Sequence, residues 1–191
     1  MLEEIVTVRK WIAENLTDAN ANDWFERDVF VTKVQPILPA VLEVVALPPT
    51  WEEGKYNCFA YAFGVHKESA FLRKTKRPSQ EDLMNIVLIN SPHLVRLLST
   101  LQQTTAPEIG DYVIYKNGRM FTHAGIYLGD KMLESKWSDG PIMRHHIHAV
   151  NPGYGDEIAF YKKGDPEEIK TRLIEIDTEF KARSSFGRVN L

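Results

Sequence analysis

From Pro107 onward the chain contains a series of short segments that alternate apolar and polar side chains and are separated by turn residues. Asp111–Lys116 and Met120–Leu128 are the first two, and the turn Lys116-Asn117-Gly118 lies between them. Gly129-Asp130 forms the next turn. Tight turns of this kind join antiparallel strands. Three more segments follow, Lys131–Trp137, Ile142–His148 and Glu157–Lys162. The pattern predicts one antiparallel sheet.

Helical patterns flank these strands. Apolar residues recur at threes and fours over Leu2–Leu16, and the same spacing returns in the charged stretch Pro166–Arg183. A second helix is predicted over Ile37–Leu47, and a third over Ser79–Gln103 with a break at Pro92. Helices followed by a meander of strands indicate an α+β fold. We expect a helical lead-in over 1–50, a main domain over 51–165, and a C-terminal helix and tail over 166–191.

The charge balance argues against nucleic acid as a partner. The 191 residues carry 23 basic and 26 acidic side chains, for a formal net charge of -3. The first residues are acidic, and every long apolar stretch is interrupted, so we predict neither a Sec-type signal nor a membrane span. With a single cysteine, folding requires no disulfide. The default expectation is a cytoplasmic protein, although export by another route stays open.

The single cysteine, Cys58, lies where a turn passes into an apolar helix, in the segment Tyr56–Gly64. Asn57 is a suitable N-cap for this helix. A thiol acts as a nucleophile in its thiolate form, and a helix N-terminus or an imidazolium can lower its pKa from about 8.5. We therefore expect a reactive cysteine, with a buried core cysteine as the alternative.

His123 begins the segment Thr122–Asp130 and is the candidate general base, because an unperturbed imidazole titrates near about pH 6.5. The alternative is a histidine that only hydrogen-bonds the backbone. Together, Asn57-Cys58, Gly110–Val113, His123–Asp130 and Ala159–Lys162 make residues 54–163 resemble the NlpC-type branch of papain-like cysteine peptidases. The chain is also similar to uncharacterised bacterial domains that carry Asn-Cys-x-Ala-x-Ala and Ser-Lys-Trp motifs.

The resemblance implies a fold and a set of site residues. The cysteine helix packs on a curved antiparallel sheet, Cys58 is the nucleophile, His123 is the base, and a polar group on the following strand orients the imidazole. When the Gly129-Asp130 hairpin is aligned with the corresponding hairpin of that family, the group that orients the imidazole is Glu134. A turn one residue different in length would make it Ser135. The supporting residues expected around this triad are Tyr56, Asn57, Ser135, Lys136, Trp137 and His145.

Strand alternation places Glu134 and Lys136 on one face and Ser135 and Trp137 on the other. The backbone N–H of Cys58, with the Tyr56 hydroxyl, is the expected oxyanion hole. Alternation also separates His145 from His146 and His148, so at most two histidines converge and no metal site is predicted.

The expected function is hydrolysis of amide bonds in peptide-like substrates, such as cell-wall peptides, without a cofactor. The usual Asp-Cys-Ser-Gly sequence around the nucleophile is replaced by Asn57-Cys58-Phe59-Ala60, which leaves the substrate open. The expected partner is a peptide-like or peptidoglycan-derived substrate, with neither nucleic acid nor membrane involved. The alternatives are a catalytically silent binding domain of the same fold and a thiol-dependent acyltransferase or deamidase.

Overall fold

The structure is a computed structural model that describes residues 2–16, 21–77, 79, 82 and 85–186. The α-helices are α1 Leu2–Asn15, α2 Ala21–Phe25, α3 Arg27–Val29, α4 Cys58–Ala62, α5 Ser91–Leu98 and α6 Pro166–Phe186. A π-helical turn spans Phe30–Val34, and 3-10 turns span Gln35–Ile37, Ser69–Phe71 and Pro152–Tyr154. The strands are β1 Glu43–Ala46, β2 Gln103–Thr104, β3 Tyr112–Asn117, β4 Met120–Gly129, β5 Met132–Lys136, β6 Ile142–His146 and β7 Glu157–Tyr161.

Within the described residues the seven strands form a single sheet in the order β1-β6-β5-β4-β3-β7-β2. Every neighbouring pair in the sheet is antiparallel. The central strands β3, β4, β5 and β6 are consecutive in the chain, as expected from their short turns. Mixed helices and one antiparallel sheet make this an α+β fold, which confirms the predicted class.

The helix predicted over Ile37–Leu47 is wrong. The 3-10 turn ends at Ile37, and Glu43–Ala46 forms strand β1 instead. Val44 and Val45 are β-branched residues that favour extended backbone, and β1 pairs with β6 through Glu43↔Arg144 and Val44↔Met143. That partner strand lies about a hundred residues away in the sequence, so local periodicity could not reveal it.

Helix α5 accounts for part of the helix predicted over Ser79–Gln103; residues 80, 81, 83 and 84 lie outside the described part. Asn90 caps α5 by accepting a hydrogen bond from the His93 N–H at 3.5 Å. Pro92 lies in the first turn, where its missing N–H is not needed, so it begins this helix instead of breaking it.

The two faces of the sheet pack against different layers. On one face, Tyr112, Ile114 and Ala124 belong to a cluster with α4, α5 and α6. On the other face, Val113 and Tyr115 belong to a smaller cluster with Leu133, Ile147 and Val150. A third cluster joins the N-terminal helices to the sheet, and its Trp24 and Trp137 rings stack at 5.6 Å. None of the helices in the described ranges has the length and apolar character that a membrane crossing requires.

Candidate functional site

Asn57 fixes the start of α4, as predicted. Its backbone is extended (φ -93°, ψ 176°), and its side-chain Oδ1 accepts a hydrogen bond from the Ala60 N–H at 3.0 Å. Its Nδ2 donates to the Ile89 carbonyl oxygen at 2.8 Å. The side chain therefore ties the start of the helix to the segment that precedes α5.

Cys58 is the first residue of α4, and 6% of it is exposed. Burial raises the pKa of the Cys58 thiol to about 12, against the opposing effects of backbone N–H donors at Ala124 and Phe59 and of the Lys136 charge. The expectation of a lowered thiol pKa is therefore wrong for this arrangement, because desolvation outweighs the donors. The thiol is protonated at neutral pH.

His123 is buried among aromatic rings. Its imidazole stacks on Tyr154 with centroids 4.1 Å apart, and Tyr115 lies 5.4 Å away. Among the residues that the structure describes, neither ring nitrogen has a hydrogen-bond partner. Burial lowers the pKa of His123 well below its ordinary value, so the ring is neutral at pH 7. Its neighbour Ala124 packs in the α4 cluster, and successive strand residues point to opposite faces. His123 therefore faces away from the α4 side.

The register between β4 and β5 decides which residues share a face with His123. Gly125 pairs with Ser135, and Ile126 pairs with Glu134, after an irregularity between Tyr127 and Gly129. Directly paired residues point to the same face, and so do residues two apart on one strand. Ser135 therefore lies on the His123 face, and Glu134 lies on the α4 face.

Glu134 has other partners than the expected imidazole. Its carboxylate accepts a hydrogen bond from the Tyr61 hydroxyl of α4, and its Oε2 accepts one from Arg144 Nε at 2.9 Å. The predicted hydrogen bond from His123 to Glu134, Ser135 or Lys136 is not formed within the described structure. The predicted separation of Glu134 and Lys136 from Ser135 and Trp137 is confirmed.

Ser135, Trp137 and His145 form a buried polar group on the His123 face. The Ser135 Oγ lies 2.8 Å from His145 Nε2, and Trp137 Nε1 donates to the same nitrogen at 3.3 Å. An indole N–H can only donate, so Nε2 accepts and Nδ1 carries the proton that is donated to the His146 carbonyl oxygen at 3.0 Å. Burial lowers the pKa of His145 to about 4. His145 and Trp137 are thus interior residues and do not line a cleft.

The α4 face carries a different set of polar side chains near the thiol. Lys136 is 0% exposed; its Nζ lies 4.7 Å from the centroid of the Tyr56 ring and donates to the Gly140 carbonyl oxygen. The His66 ring lies 5.0 Å from the Tyr56 ring and 5.2 Å from the Tyr61 ring. Sequence reasoning missed His66, because nothing in its local pattern links it to Cys58.

A cavity of about 220 Å³ opens beside the start of α4. Its lining combines residues next to Cys58 with charged and apolar walls, among them Tyr56, Asn57, Lys55, Arg73, Asp139 and Phe71. Arg73 forms an ion pair with Asp139, and the Lys55 ammonium lies 5.5 Å from the centroid of the Trp51 ring. A larger cavity of about 600 Å³ between α1 and the β5–β6 hairpin shares no lining residue with it.

In the described ranges no group of three or more histidine, cysteine, aspartate or glutamate side chains is arranged to hold a metal ion. The fold and the site thus define an α+β domain with a buried thiol at the start of a helix that packs on an antiparallel sheet. Residues 50–162 match the model of a family described as Domain of unknown function (DUF7689). The match covers more than half of the chain, and the protein belongs to this family. No curated protein and no solved structure matches the chain.

Proposed function

We propose that the protein is a thiol hydrolase that cleaves amide bonds of peptide-like substrates, with Cys58 as the nucleophile. The observation that carries the proposal is the environment of the sulfur. Backbone N–H groups of Ala124 and Phe59 donate toward it, and the Lys136 amine lies on the same side of the sheet. Such donors stabilise a thiolate, and the negative oxygen that forms when a thiolate adds to a carbonyl needs similar donors.

The arrangement of elements supports a papain-like, NlpC-type relationship. The first residue of α4 is Cys58, α4 packs on β4 and β5, and the antiparallel strands follow it in the chain. The catalytic constellation departs from the expected triad, because His123 points to the other face. The proposal therefore rests on Cys58 and does not require the His123–Glu134 pair.

The cavity beside Asn57 supports a substrate with polar groups near the scissile bond. Lys55 and Arg73 contribute two positive charges and Asp139 one negative charge, while Phe71 supplies an apolar wall. A peptide-like substrate offers side chains and carboxylates of suitable chemistry for such a site. Cell-wall stem peptides are one class of this kind.

Acylation by p-nitrophenyl acetate tests the nucleophile without knowledge of the substrate. Wild type should release p-nitrophenol, and mass spectrometry should locate the acetyl group on Cys58. Cys58→Ser is the matched control, since it keeps the size and polarity of the side chain but is a far weaker nucleophile. A panel of peptide p-nitroanilides then reports amide cleavage, and an added amine acceptor reports acyl transfer.

Equal p-nitrophenol release by wild type and Cys58→Ser would contradict the proposal, as would acetylation at other residues alone. Faster product formation with an amine acceptor than with water would assign the transferase alternative to the same thiol.

A catalytically silent binding domain is the second candidate. The observation that favours it is the closure of the site, since Cys58 is 6% exposed and His123 is 0% exposed. In that case folded wild type should resist acetylation, while the unfolded chain should react as an ordinary thiol.

A further inference from the structure

Lys136 lies on the face of β5 that contacts α4, close to the start of that helix. The Tyr61 hydroxyl, one turn into α4, donates to Glu134 of β5. Lys136 is two residues further along the same face, and its Nζ lies over the ring of Tyr56, two residues before Cys58. These two contacts bring the start of the helix, which carries Cys58, to the part of the sheet where the Lys136 amine lies, and the charges of Lys136 and Cys58 influence each other.

The amine is held in a closed environment. Lys136 has no exposed surface, and its Nζ donates to the Gly140 carbonyl oxygen. The charges of Asp139, Lys55 and Cys58 influence the pKa of this amine, and its own charge lowers the pKa of His66. The Tyr56 ring lies against the amine, and Glu134 lies two residues earlier on the same face of β5. Fully buried lysines are rare, and desolvation favours the neutral amine, which is a base.

We infer that Lys136 is the proton acceptor of the Cys58 thiol, and that the pair acts as a cysteine–lysine dyad. This assignment rests on the proposed function. As the sulfur adds to the carbonyl carbon, the S–H proton moves to the Lys136 nitrogen, and the carbonyl π electrons move to oxygen. The resulting ammonium then gives its proton to the leaving amine nitrogen as the C–N bond breaks, which leaves a thioester and a neutral lysine.

Water completes the cycle with the same group. Neutral Lys136 takes a proton from water as the hydroxide oxygen adds to the thioester carbon, and the C–S bond breaks. The thiolate recovers the proton from the ammonium, so both residues return to their starting states. Burial lowers the pKa of Lys136 to about 7, which suits a base that works near neutral pH.

Two imidazoles, His123 and His66, are the alternative proton acceptors for the Cys58 thiol. His123 lies on the opposite face against Tyr154, and burial holds its pKa well below 6.5. The Tyr154 phenol is itself a titratable group that interacts with Cys58, since burial and the Cys58 charge both raise its pKa. His66 lies on the α4 side, next to Tyr56 and Tyr61, and is the stronger rival. Its replacement therefore belongs in the experiment.

The test follows the rate of Cys58 alkylation by iodoacetamide in the folded full chain from pH 5.5 to pH 9. Wild type should show one inflection near pH 7, where the Lys136 amine loses its proton. Lys136→Met should lose this inflection and react about a hundredfold or more slowly at pH 8, the lower end of the loss expected when a general base is removed. Lys136→Arg keeps a charge and cannot accept a proton, so it too should lose the inflection. Lys163→Met, the same change at an exposed lysine, should behave as wild type.

An inflection near pH 7 that survives in folded Lys136→Met and disappears in His66→Phe would overturn the assignment and give the role to His66. If Lys136→Met fails to fold, wild type alone still tests the assignment of Lys136: a rate profile without any inflection would overturn it. In both of these cases Cys58 still reacts, and the proposed function stands. If folded wild type does not react at any pH while the urea-unfolded chain does, the proposed function itself fails.

Discussion

Replacing Lys136 by Met should make the protein more stable at neutral and acidic pH, and the gain should shrink as the pH rises. In the folded protein, burial lowers the pKa of Lys136 from its ordinary value of 10.5 to about 7. Between these values the unfolded chain binds a proton on this amine that the folded chain does not bind. The free energy of unfolding of wild type therefore increases with pH over this range, and Met abolishes this contribution.

The size of the effect follows from the shift. One pKa unit corresponds to about 1.4 kcal/mol, so between pH 7 and pH 9 the advantage of Lys136→Met over wild type should decrease by about 3 kcal/mol. Above pH 9 the free energy of unfolding of both proteins also falls as the pH rises, because burial raises the pKa of the Cys58 thiol and the unfolded thiol ionises first. The comparison is therefore most direct below pH 9. Below pH 7 the difference should be constant, since both states bind the proton.

Urea denaturation followed by tryptophan fluorescence at pH 6, 7, 8 and 9 measures the two free energies of unfolding, since Trp24 and Trp137 are buried. Lys163→Met is the control, and its difference from wild type should not change with pH. A difference between Lys136→Met and wild type that stays constant over this range would refute the reasoning. It would mean that the folded protein keeps the ammonium charged through compensating contacts.

Two further predictions concern the scaffold of the site. Asn57→Ala should lower the free energy of unfolding by about 1–2 kcal/mol, because the helix cap is lost. Asn57→Asp keeps the cap acceptor and loses only the donor to the Ile89 carbonyl oxygen, so it should lose less stability in urea denaturation. Equal losses in the two variants would argue against the cap. Gly155→Ala should cost about 3 kcal/mol, because Gly155 has φ 84° and an added Cβ would collide with the Lys116 carbonyl oxygen. Gly118→Ala, at φ 59° and with no described atom within 4 Å of the added Cβ, should cost about 1 kcal/mol; equal losses at the two glycines would contradict the collision.

The strands could be predicted because their signals are local. Alternating side chains and turn residues define β3, β4 and β5 within one or two residues, and Gly118 takes the positive φ of 59° that the first turn requires. Strand β1 escaped prediction because an apolar stretch of about ten residues fits a helix or a strand, and its pairing with β6 is remote in sequence.

The local setting of Cys58 was predictable from the sequence, whereas the geometry around it was not. The position of Cys58 at a capped helix start, and the two faces of β5, follow from local rules. The register between β4 and β5 decides which residues of β5 share a face with His123, and this register includes an irregularity between Tyr127 and Gly129. A change of one residue in such a turn exchanges the two faces of a strand. For this reason Ser135, instead of Glu134, shares the face of His123, and Lys136 lies on the α4 face.

The last prediction separates a structural His123 from a catalytic one. The imidazole is fully buried, stacks on Tyr154 at 4.1 Å, and has no hydrogen-bond partner among the described residues. A buried polar group without a partner costs about 1–3 kcal/mol, so His123→Phe should raise the free energy of unfolding by about 1 kcal/mol while keeping the ring stack.

His93→Phe is the matched control, because its ring nitrogens lie 2.7 Å from Asn90 Oδ1 and 3.3 Å from Asp177 Oδ1. The same substitution there should destabilise the protein by about 1–3 kcal/mol, since it removes the single ring N–H that a neutral imidazole donates to one of these oxygens. Urea denaturation measures both variants, and iodoacetamide labelling of Cys58 in His123→Phe should keep the wild-type inflection near pH 7. A folded His123→Phe that labels about tenfold more slowly would instead mean that the imidazole reaches the thiol, because a ring with a purely structural role would not change the rate of proton removal.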